Sequence, residues 1–126
     1  MELKTVLLIE DESDTYFLVN GFLQAEGFEV YHAGSIAEAG YFLDRKKPAL
    51  VLLDNRLPDG HGMHFINKLR EKHPAAKVVV ISGVDVGARE YALESGADAF
   101  IRKPFTKDTL LGTVGYLMKP TLSAVE

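Results

Sequence analysis

Five short runs of Val, Leu, Ile and other apolar residues recur along the sequence and limit its folds most strongly. Each run is too short for a helix and almost continuously apolar, which is typical of a parallel strand covered on both faces. Stretches with apolar residues at helical spacing lie between them, and this alternation predicts a doubly wound α/β domain with a parallel sheet and right-handed crossovers. The predicted strands are Thr5 to Ile9, Phe28 to Ala33, Leu50 to Leu53, Val78 to Ile81 and Ala99 to Ile101.

Five helices are predicted between and after these strands. The first has Leu18, Phe22 and Ala25 on one apolar face, and a C-terminal glycine follows it. Phe17, Phe22, Phe42 and Phe65 are expected in the core, whereas His73 and the other histidines are expected at the surface or at an edge. The remaining helices are predicted from a capping box at Ser35 to Glu38 until near Arg45, from Met63 to Glu71, from Ala88 to Glu94, and from after Thr106 until before Pro120.

Composition excludes several classes of function. The 126 residues suffice for one domain, and a net charge of −4 disfavours direct binding of nucleic acid. With no cysteine there is no disulfide framework, thiolate metal site or cysteine nucleophile. Because no apolar run approaches the ~20 residues of a membrane helix, we expect a cytoplasmic protein without membrane contact.

Polar side chains follow four of the predicted strands at the point where each ends. Glu10 and Asp11 follow the first strand, Asp54 the third, Ser82 the fourth and Lys103 the fifth. Ligands of an open parallel sheet bind outside the carboxyl ends of its strands. We therefore expect these five side chains to converge in one shallow pocket.

The residue types in this pocket indicate its chemistry. Clustered carboxylates repel one another and favour a hard divalent cation with oxygen ligands, Mg²⁺ or Mn²⁺. Beside the cation, Lys103 and the hydroxyl of Ser82 would hold a second anion. A metal, a lysine and a hydroxyl around a carboxylate suit acceptance of a phosphoryl group, and the product would be an aspartyl phosphate.

Four blocks of sequence, in order, resemble the signature blocks of the response-regulator receiver domain of two-component signalling. They are Leu7 to Glu12, Leu53 to Gly60, Ile81 to Gly83 and Phe100 to Phe105. The resemblance extends from about Leu3 to Met118. It implies a flavodoxin-like five-stranded parallel sheet of order 2-1-3-4-5 with five helices, a receiver domain over residues 1–119, and a C-terminal tail or the start of a linker over residues 120–126.

The resemblance also implies a role for each residue of the site. Asp54 would be the phosphoacceptor, and Lys103 and Ser82 would contact phosphoryl oxygens, with a cis peptide bond after Lys103. The Mg²⁺ ligands would be Asp54, Asp11, Glu10 through a water molecule, and the backbone carbonyl of Arg56. Phe100 would be the switch aromatic, and Arg56 and Val84 would tune the lifetime of the phosphate.

The function implied is a phosphorylation-dependent signalling switch that takes its phosphoryl group from a histidine kinase or histidine phosphotransfer protein. It would change the surface formed by the fourth helix, fifth strand and fifth helix, and act on a downstream output domain or protein. Such a domain promotes its own phosphorylation and dephosphorylation without turning over a separate substrate. The sequence leaves open a homodimer formed on phosphorylation, and it leaves open a stand-alone receiver or a receiver cut from a longer chain.

Three alternatives are weighed against this function. An aspartate-nucleophile phosphatase usually has a second acid two residues after the nucleophile, where this chain has Arg56, and it needs a cap for which 126 residues leave no room. A flavin mononucleotide binder would need an anion-accepting loop where Glu10 and Asp11 would repel the phosphate. A degenerate receiver that serves only as a phosphorylation-independent interaction module is disfavoured by the intact set of site residues.

Overall fold

A computed structural model describes residues 4–83 and 87–118 of the chain. It contains a five-stranded sheet in which every neighbouring pair is parallel and the order is β2-β1-β3-β4-β5. This arrangement confirms the predicted fold class and strand order. The strands are β1 (Thr5–Ile9), β2 (Glu29–Ala33), β3 (Leu50–Asp54), β4 (Lys77–Ser82) and β5 (Ala99–Arg102).

Five α-helices cover the two faces of the sheet in the described residues. On one face, α1 and α5 pack over a core that includes Val19, Leu23 and Leu110. On the other face, α2, α3 and α4 pack over a second core that includes Ile66 and Leu69. The helices are α1 (Ser13–Ala25), α2 (Ile36–Leu43), α3 (Ile66–Lys72), α4 (Ala88–Glu94) and α5 (Lys107–Met118).

The central strand β3 is buried along its whole length and ends at Asp54. Its neighbours are β1, which is followed by Glu10, and β4, which ends at Ser82. A strand covered on both faces needs apolar residues at every position, and Leu50 to Leu53 supply them. The first polar residue of the strand therefore lies at the edge of the sheet where the neighbouring polar residues also lie.

The buried face of α1 differs from the predicted one. Val19 and Leu23 face the sheet, whereas Phe17 is 74% exposed and Leu18 is 58% exposed. The helix has two apolar stripes at helical spacing, and the stripe that packs against the sheet begins at Val19 and not at Leu18. The expectation for Phe65 is confirmed, since it is buried, while Phe22 and Phe42 pack partly buried against the two cores.

His73 is buried, so its predicted surface position was wrong. Its Nε2 lies 2.8 Å from the carbonyl oxygen of Leu43, the last residue of α2. Carbonyl groups in the last turn of a helix have no partner within the helix, and the imidazole supplies one here.

The connection from β3 to α3 is more structured than a plain turn. Two-residue strands at Arg56–Leu57 and Gly60–His61 form an antiparallel hairpin, and a 3₁₀ turn at Gly62–Phe65 follows it. As a result α3 begins at Ile66, three residues after the predicted start at Met63. The predicted tail at residues 120–126 and Val84 lie outside the described residues.

Within residues 4–83 and 87–118, none of the helices combines the length and the apolar character that crossing a membrane requires.

Candidate functional site

Three carboxylates meet at the carboxyl edge of the sheet, as the sequence predicts. One carboxylate oxygen from each of Glu10, Asp11 and Asp54 lies within 4.8 Å of the others. Glu10 and Asp54 are buried, whereas Asp11 is exposed. The site opens to solvent through a cleft of about 520 Å³, which is lined by Asp11, Glu12, Asp54, Arg56, Ser82, Gly83 and Lys103.

Lys103 places a positive charge among these acids. Its Nζ lies 3.3 Å from Glu10 Oε1, 3.6 Å from Asp54 Oδ1 and 3.7 Å from Glu12 Oε1. Burial lowers the pKa of Lys103, but the negative charges of Asp54 and Glu10 outweigh burial and raise it above its ordinary value. The ammonium group therefore stays charged at neutral pH.

The site disfavours the ionised form of Glu10. Burial, followed by repulsion from Asp54, raises the pKa of Glu10 from 4.5 to about 7. The N–H of Glu12, which donates to Glu10 Oε2 at 3.1 Å, and the charge of Lys103 act in the opposite direction without cancelling these effects. The carboxylate cluster thus carries more negative charge than one lysine neutralises.

The loop after β3 is held tightly against Asp54. The N–H of Arg56 donates to Asp54 Oδ1 at 3.3 Å, and the N–H of Gly62 donates to the carbonyl of Asn55 at 2.7 Å. A Cβ atom at Gly62 would lie 2.2 Å from the carbonyl oxygen of Asp54, so only glycine allows this approach. The side chain of Asn55 adds a bond by accepting from the N–H of Met63 at 3.0 Å.

Ser82 and Phe100 lie on neighbouring strands but at different distances from the cleft. Ser82 ends β4, is buried and lines the cleft, and its carbonyl accepts from the N–H of Lys103 at 2.9 Å. Phe100 is half-buried in β5 and packs against the core beneath α2, α3 and α4 without lining the cleft. The peptide bond between Lys103 and Pro104 is cis, as the resemblance implied.

Of the seven predicted site residues, Phe100 neither lines the cleft nor belongs to its carboxylate cluster. The other six do: Glu10, Asp11, Asp54, Arg56, Ser82 and Lys103. Sequence reasoning assigned no role to Glu12 or Gly83, which also line the cleft. Glu12 is the third acid of the run after β1, so the rule that places Glu10 and Asp11 at the carboxyl edge of the sheet also places Glu12 there.

The donor set suits a hard divalent cation. All the converging ligand atoms are carboxylate oxygens, which Mg²⁺ and Mn²⁺ prefer over softer metals, and the set carries excess negative charge. An oxygen-only site with one exposed acid also leaves room for the water molecules that Mg²⁺ retains.

A parallel sheet with this strand order and an acidic cleft at its carboxyl edge defines a doubly wound α/β domain whose site suits a divalent cation. The family model of the response regulator receiver domain matches residues 6–120. The chain therefore belongs to the receiver domain family of two-component response regulators, which act in phosphorylation-dependent signalling.

Curated relatives agree with this assignment. The chain is 35% identical over 118 residues to the response regulator Rre1 of Synechocystis and covers 51% of that protein. It is 31% identical over 118 residues to the probable transcriptional regulatory protein TcrX of Mycobacterium tuberculosis and covers 50% of it. These alignments include 90% and 93% of this chain, so the chain spans about half the length of the curated relatives it matches.

Solved structures agree on the fold. A CheY-like receiver domain protein from Methanospirillum hungatei superposes with a TM-score of 0.86 at 28% identity, over 91% of this chain and 93% of that one. A response regulator from Thermotoga maritima superposes with a TM-score of 0.82 at 31% identity, over 93% and 98% of the two chains.

Proposed function

We propose that Asp54 accepts a phosphoryl group from a phosphohistidine donor, with Mg²⁺ bound by Glu10, Asp11, Asp54 and the backbone carbonyl of Arg56. The observation that carries this proposal is the convergence of the three carboxylates with Lys103 at one cleft. Membership of the receiver family supports it.

In the transfer, an oxygen of the Asp54 carboxylate attacks phosphorus. A P–O bond forms to Asp54, the P–N bond to the donor imidazole breaks, and its electron pair stays on the nitrogen. Lys103 would neutralise one phosphoryl oxygen, and the hydroxyl of Ser82 would donate a hydrogen bond to another. When bound, the cation supplies neutralisation of the negative charge that develops on the transferring group. Water later attacks the same phosphorus, the P–O bond to Asp54 breaks with its electron pair on the carboxylate, and inorganic phosphate leaves with the protons of the water.

Phosphorylation would change the conformation of residues in β4 and β5. Ser82 lines the cleft at the end of β4, where it pairs with Arg102 of β5. Phe100 lies two residues earlier in β5, pairs with Val80 and is half-buried against the core. Phosphorylation of Asp54 draws the hydroxyl of Ser82 toward the new oxygens, and the side chain of Phe100 then moves inward. The surface of α4, β5 and α5 changes with it, which is a two-state response to a local charge event.

The partners follow from this chemistry and from the relatives. A histidine kinase or histidine phosphotransfer protein would donate the phosphoryl group. Several relatives are named as transcriptional regulatory proteins and are about twice as long as the matched segment. We propose that the receiver, at residues 1–119, controls an output domain or a separate output protein.

Intact-mass spectrometry after incubation with acetyl phosphate and Mg²⁺ tests the proposal. The expected result is a gain of about 80 Da, the mass of one phosphoryl group, which disappears in EDTA and in Asp54→Asn. Asp44→Asn is the matched control, because Asp44 is exposed at the end of α2 and pairs with Lys72 away from the cleft. It should retain the gain.

The same experiment addresses the degenerate receiver. If acetyl phosphate gives no gain in mass, beryllofluoride with Mg²⁺ is added as a second probe, and the amide spectrum of the protein is compared with and without it. No change at Ser82 or Phe100 with either probe would refute the proposal and leave a phosphorylation-independent interaction module.

A further inference from the structure

Asp59 joins the loop after β3 to a helix that lies outside the cleft. Its Oδ1 accepts from the N–H of Ile36 at 2.9 Å and its Oδ2 accepts from the N–H of Ala37 at 2.9 Å. Both oxygens of the carboxylate are therefore used, and both donors belong to the first turn of α2. These two backbone donors lower the pKa of Asp59.

The first turn of α2 also has a cap of its own. Ser35 Oγ accepts from the N–H of Glu38 at 3.1 Å, and Glu38 Oε1 accepts from the N–H of Gly34. The first N–H groups of a helix lack partners within it, and a side-chain cap satisfies one of them. Asp59 differs from Ser35 because it reaches the helix from another element, 23 residues along the chain from Ile36.

The position of Asp59 within the hairpin gives this contact its significance. Arg56 pairs with His61 and Leu57 pairs with Gly60, so Asp59 lies at the tip. The base of the hairpin is attached to Asp54 through the N–H of Arg56. At the tip, Gly60 approaches α2 so closely that a Cβ there would lie 3.1 Å from Ile36 Cδ1.

The backbone of Arg56 thus lies between two attachments. One is its own bond to Asp54, and the other is the pair of bonds from Asp59 to α2. If the second attachment is removed, the hairpin can pivot about its base, and the peptide groups that border the cleft move with it. Leu57 packs into the core beneath α2, α3 and α4, whereas Arg56, Pro58 and Asp59 are exposed. The two bonds of Asp59 are therefore the hydrogen bonds that fix the tip of the hairpin to α2.

We propose that Asp59 is a positioning residue for the phosphorylation site: by binding the first turn of α2, it holds the Arg56 backbone in the place where it completes the cation site beside Asp54. This inference rests on the proposed function. Groups that orient metal ligands without touching the metal typically contribute 10-fold or more in metal affinity, and we expect about that loss here.

The test compares two ways of uncapping the same helix. Asp59→Ala and Ser35→Ala each remove side-chain acceptors from the first turn of α2, so both should lower the melting temperature by a similar few degrees. Only Asp59→Ala detaches the hairpin. The dissociation constant of Mg²⁺, measured by titration calorimetry without a phosphodonor, should rise about 10-fold in Asp59→Ala and stay at the wild-type value in Ser35→Ala.

Asp59→Asn adds a conservative variant. The amide retains one acceptor oxygen and can keep one of the two bonds to α2, so its Mg²⁺ affinity should lie between those of the wild type and Asp59→Ala. If Asp59→Ala does not fold, Asp59→Asn replaces it in the comparison with Ser35→Ala. The rate of phosphorylation by acetyl phosphate at low Mg²⁺ should follow the same order and recover at saturating Mg²⁺.

The outcomes separate this inference from the function on which it rests. Equal Mg²⁺ affinities in the wild type and the Asp59 variants would overturn the positioning role and leave the proposed function intact. Equal losses in Asp59→Ala and Ser35→Ala would also overturn it, because the effect would then come from the stability of α2. A wild-type protein that binds no Mg²⁺ would overturn the proposed function and this inference together.

Discussion

Titration of Glu10 makes the stability of the metal-free protein depend on pH in an unusual direction. Burial and the charge of Asp54 raise the pKa of Glu10 from 4.5 to about 7. The folded protein then binds a proton more tightly than the unfolded chain, so unfolding becomes easier as that proton is lost. The contribution of Glu10 to the free energy of unfolding is largest below about pH 4.5, falls as pH rises, and levels off above pH 7.

The size of the effect follows from the same values. Each pH unit between the two pKa values corresponds to about 1.4 kcal/mol, so the interval from 4.5 to about 7 corresponds to a loss of about 3 kcal/mol. Such a loss is a large fraction of the free energy of unfolding of a small domain, which is about 5–15 kcal/mol. A cation in the site would compensate for the charge, so Mg²⁺ should remove most of the decline.

Urea unfolding in EDTA at intervals from pH 5 to pH 8 measures this decline. Glu10→Gln is the comparison, because glutamine is close in shape and does not titrate, and because all other residues are the same in both proteins. The wild type should lose about 2.5 kcal/mol more than Glu10→Gln between pH 5 and pH 8, because part of the full loss lies below pH 5. Parallel curves for the two proteins would refute the electrostatic argument, whatever their absolute stabilities.

Two further predictions concern the same site. Asp54→Asn removes the charge that repels Glu10, so it should raise the melting temperature in EDTA at pH 8. It should also weaken the stabilisation of the protein by Mg²⁺. A lower melting temperature of Asp54→Asn in EDTA would contradict repulsion among the acids. Gly62→Ala would place a Cβ 2.2 Å from the Asp54 carbonyl oxygen and should cost about 1–3 kcal/mol in urea unfolding. Gly112→Ala, in an open part of α5, should instead stabilise by up to about 1 kcal/mol, and equal effects of the two changes would rule out the steric cause.

The strands and the carboxyl edge were predictable because local pattern determines them. A buried parallel strand must be apolar throughout, so its end is marked by the first polar residue, and Asp54 marks it in β3. Glu10 and Ser82 then follow from the topology, which places the ends of neighbouring strands side by side. The roles that the resemblance assigns to these residues stay predictions until phosphorylation is measured.

Contacts between distant elements were not predictable in the same way. Leu18 and Val19 both begin apolar stripes at helical spacing, and only packing against the sheet selects the stripe of Val19. The bonds of Asp59 to α2 depend on where a hairpin tip lies relative to a helix, and spacing in sequence carries no such signal. His73 is similar, since the carbonyl that its buried ring contacts lies 30 residues away in the sequence.

The complete burial of β3 has a consequence for how the site responds to a change in charge. Strands buried on both faces and bonded on both edges open only with the whole domain, so their amides exchange slowest with solvent. Asp54 is therefore the last residue of a rigid strand, and the hairpin that begins at Arg56 follows it. We therefore expect a modification of its carboxylate to displace the loops around the cleft and to leave the strand in place.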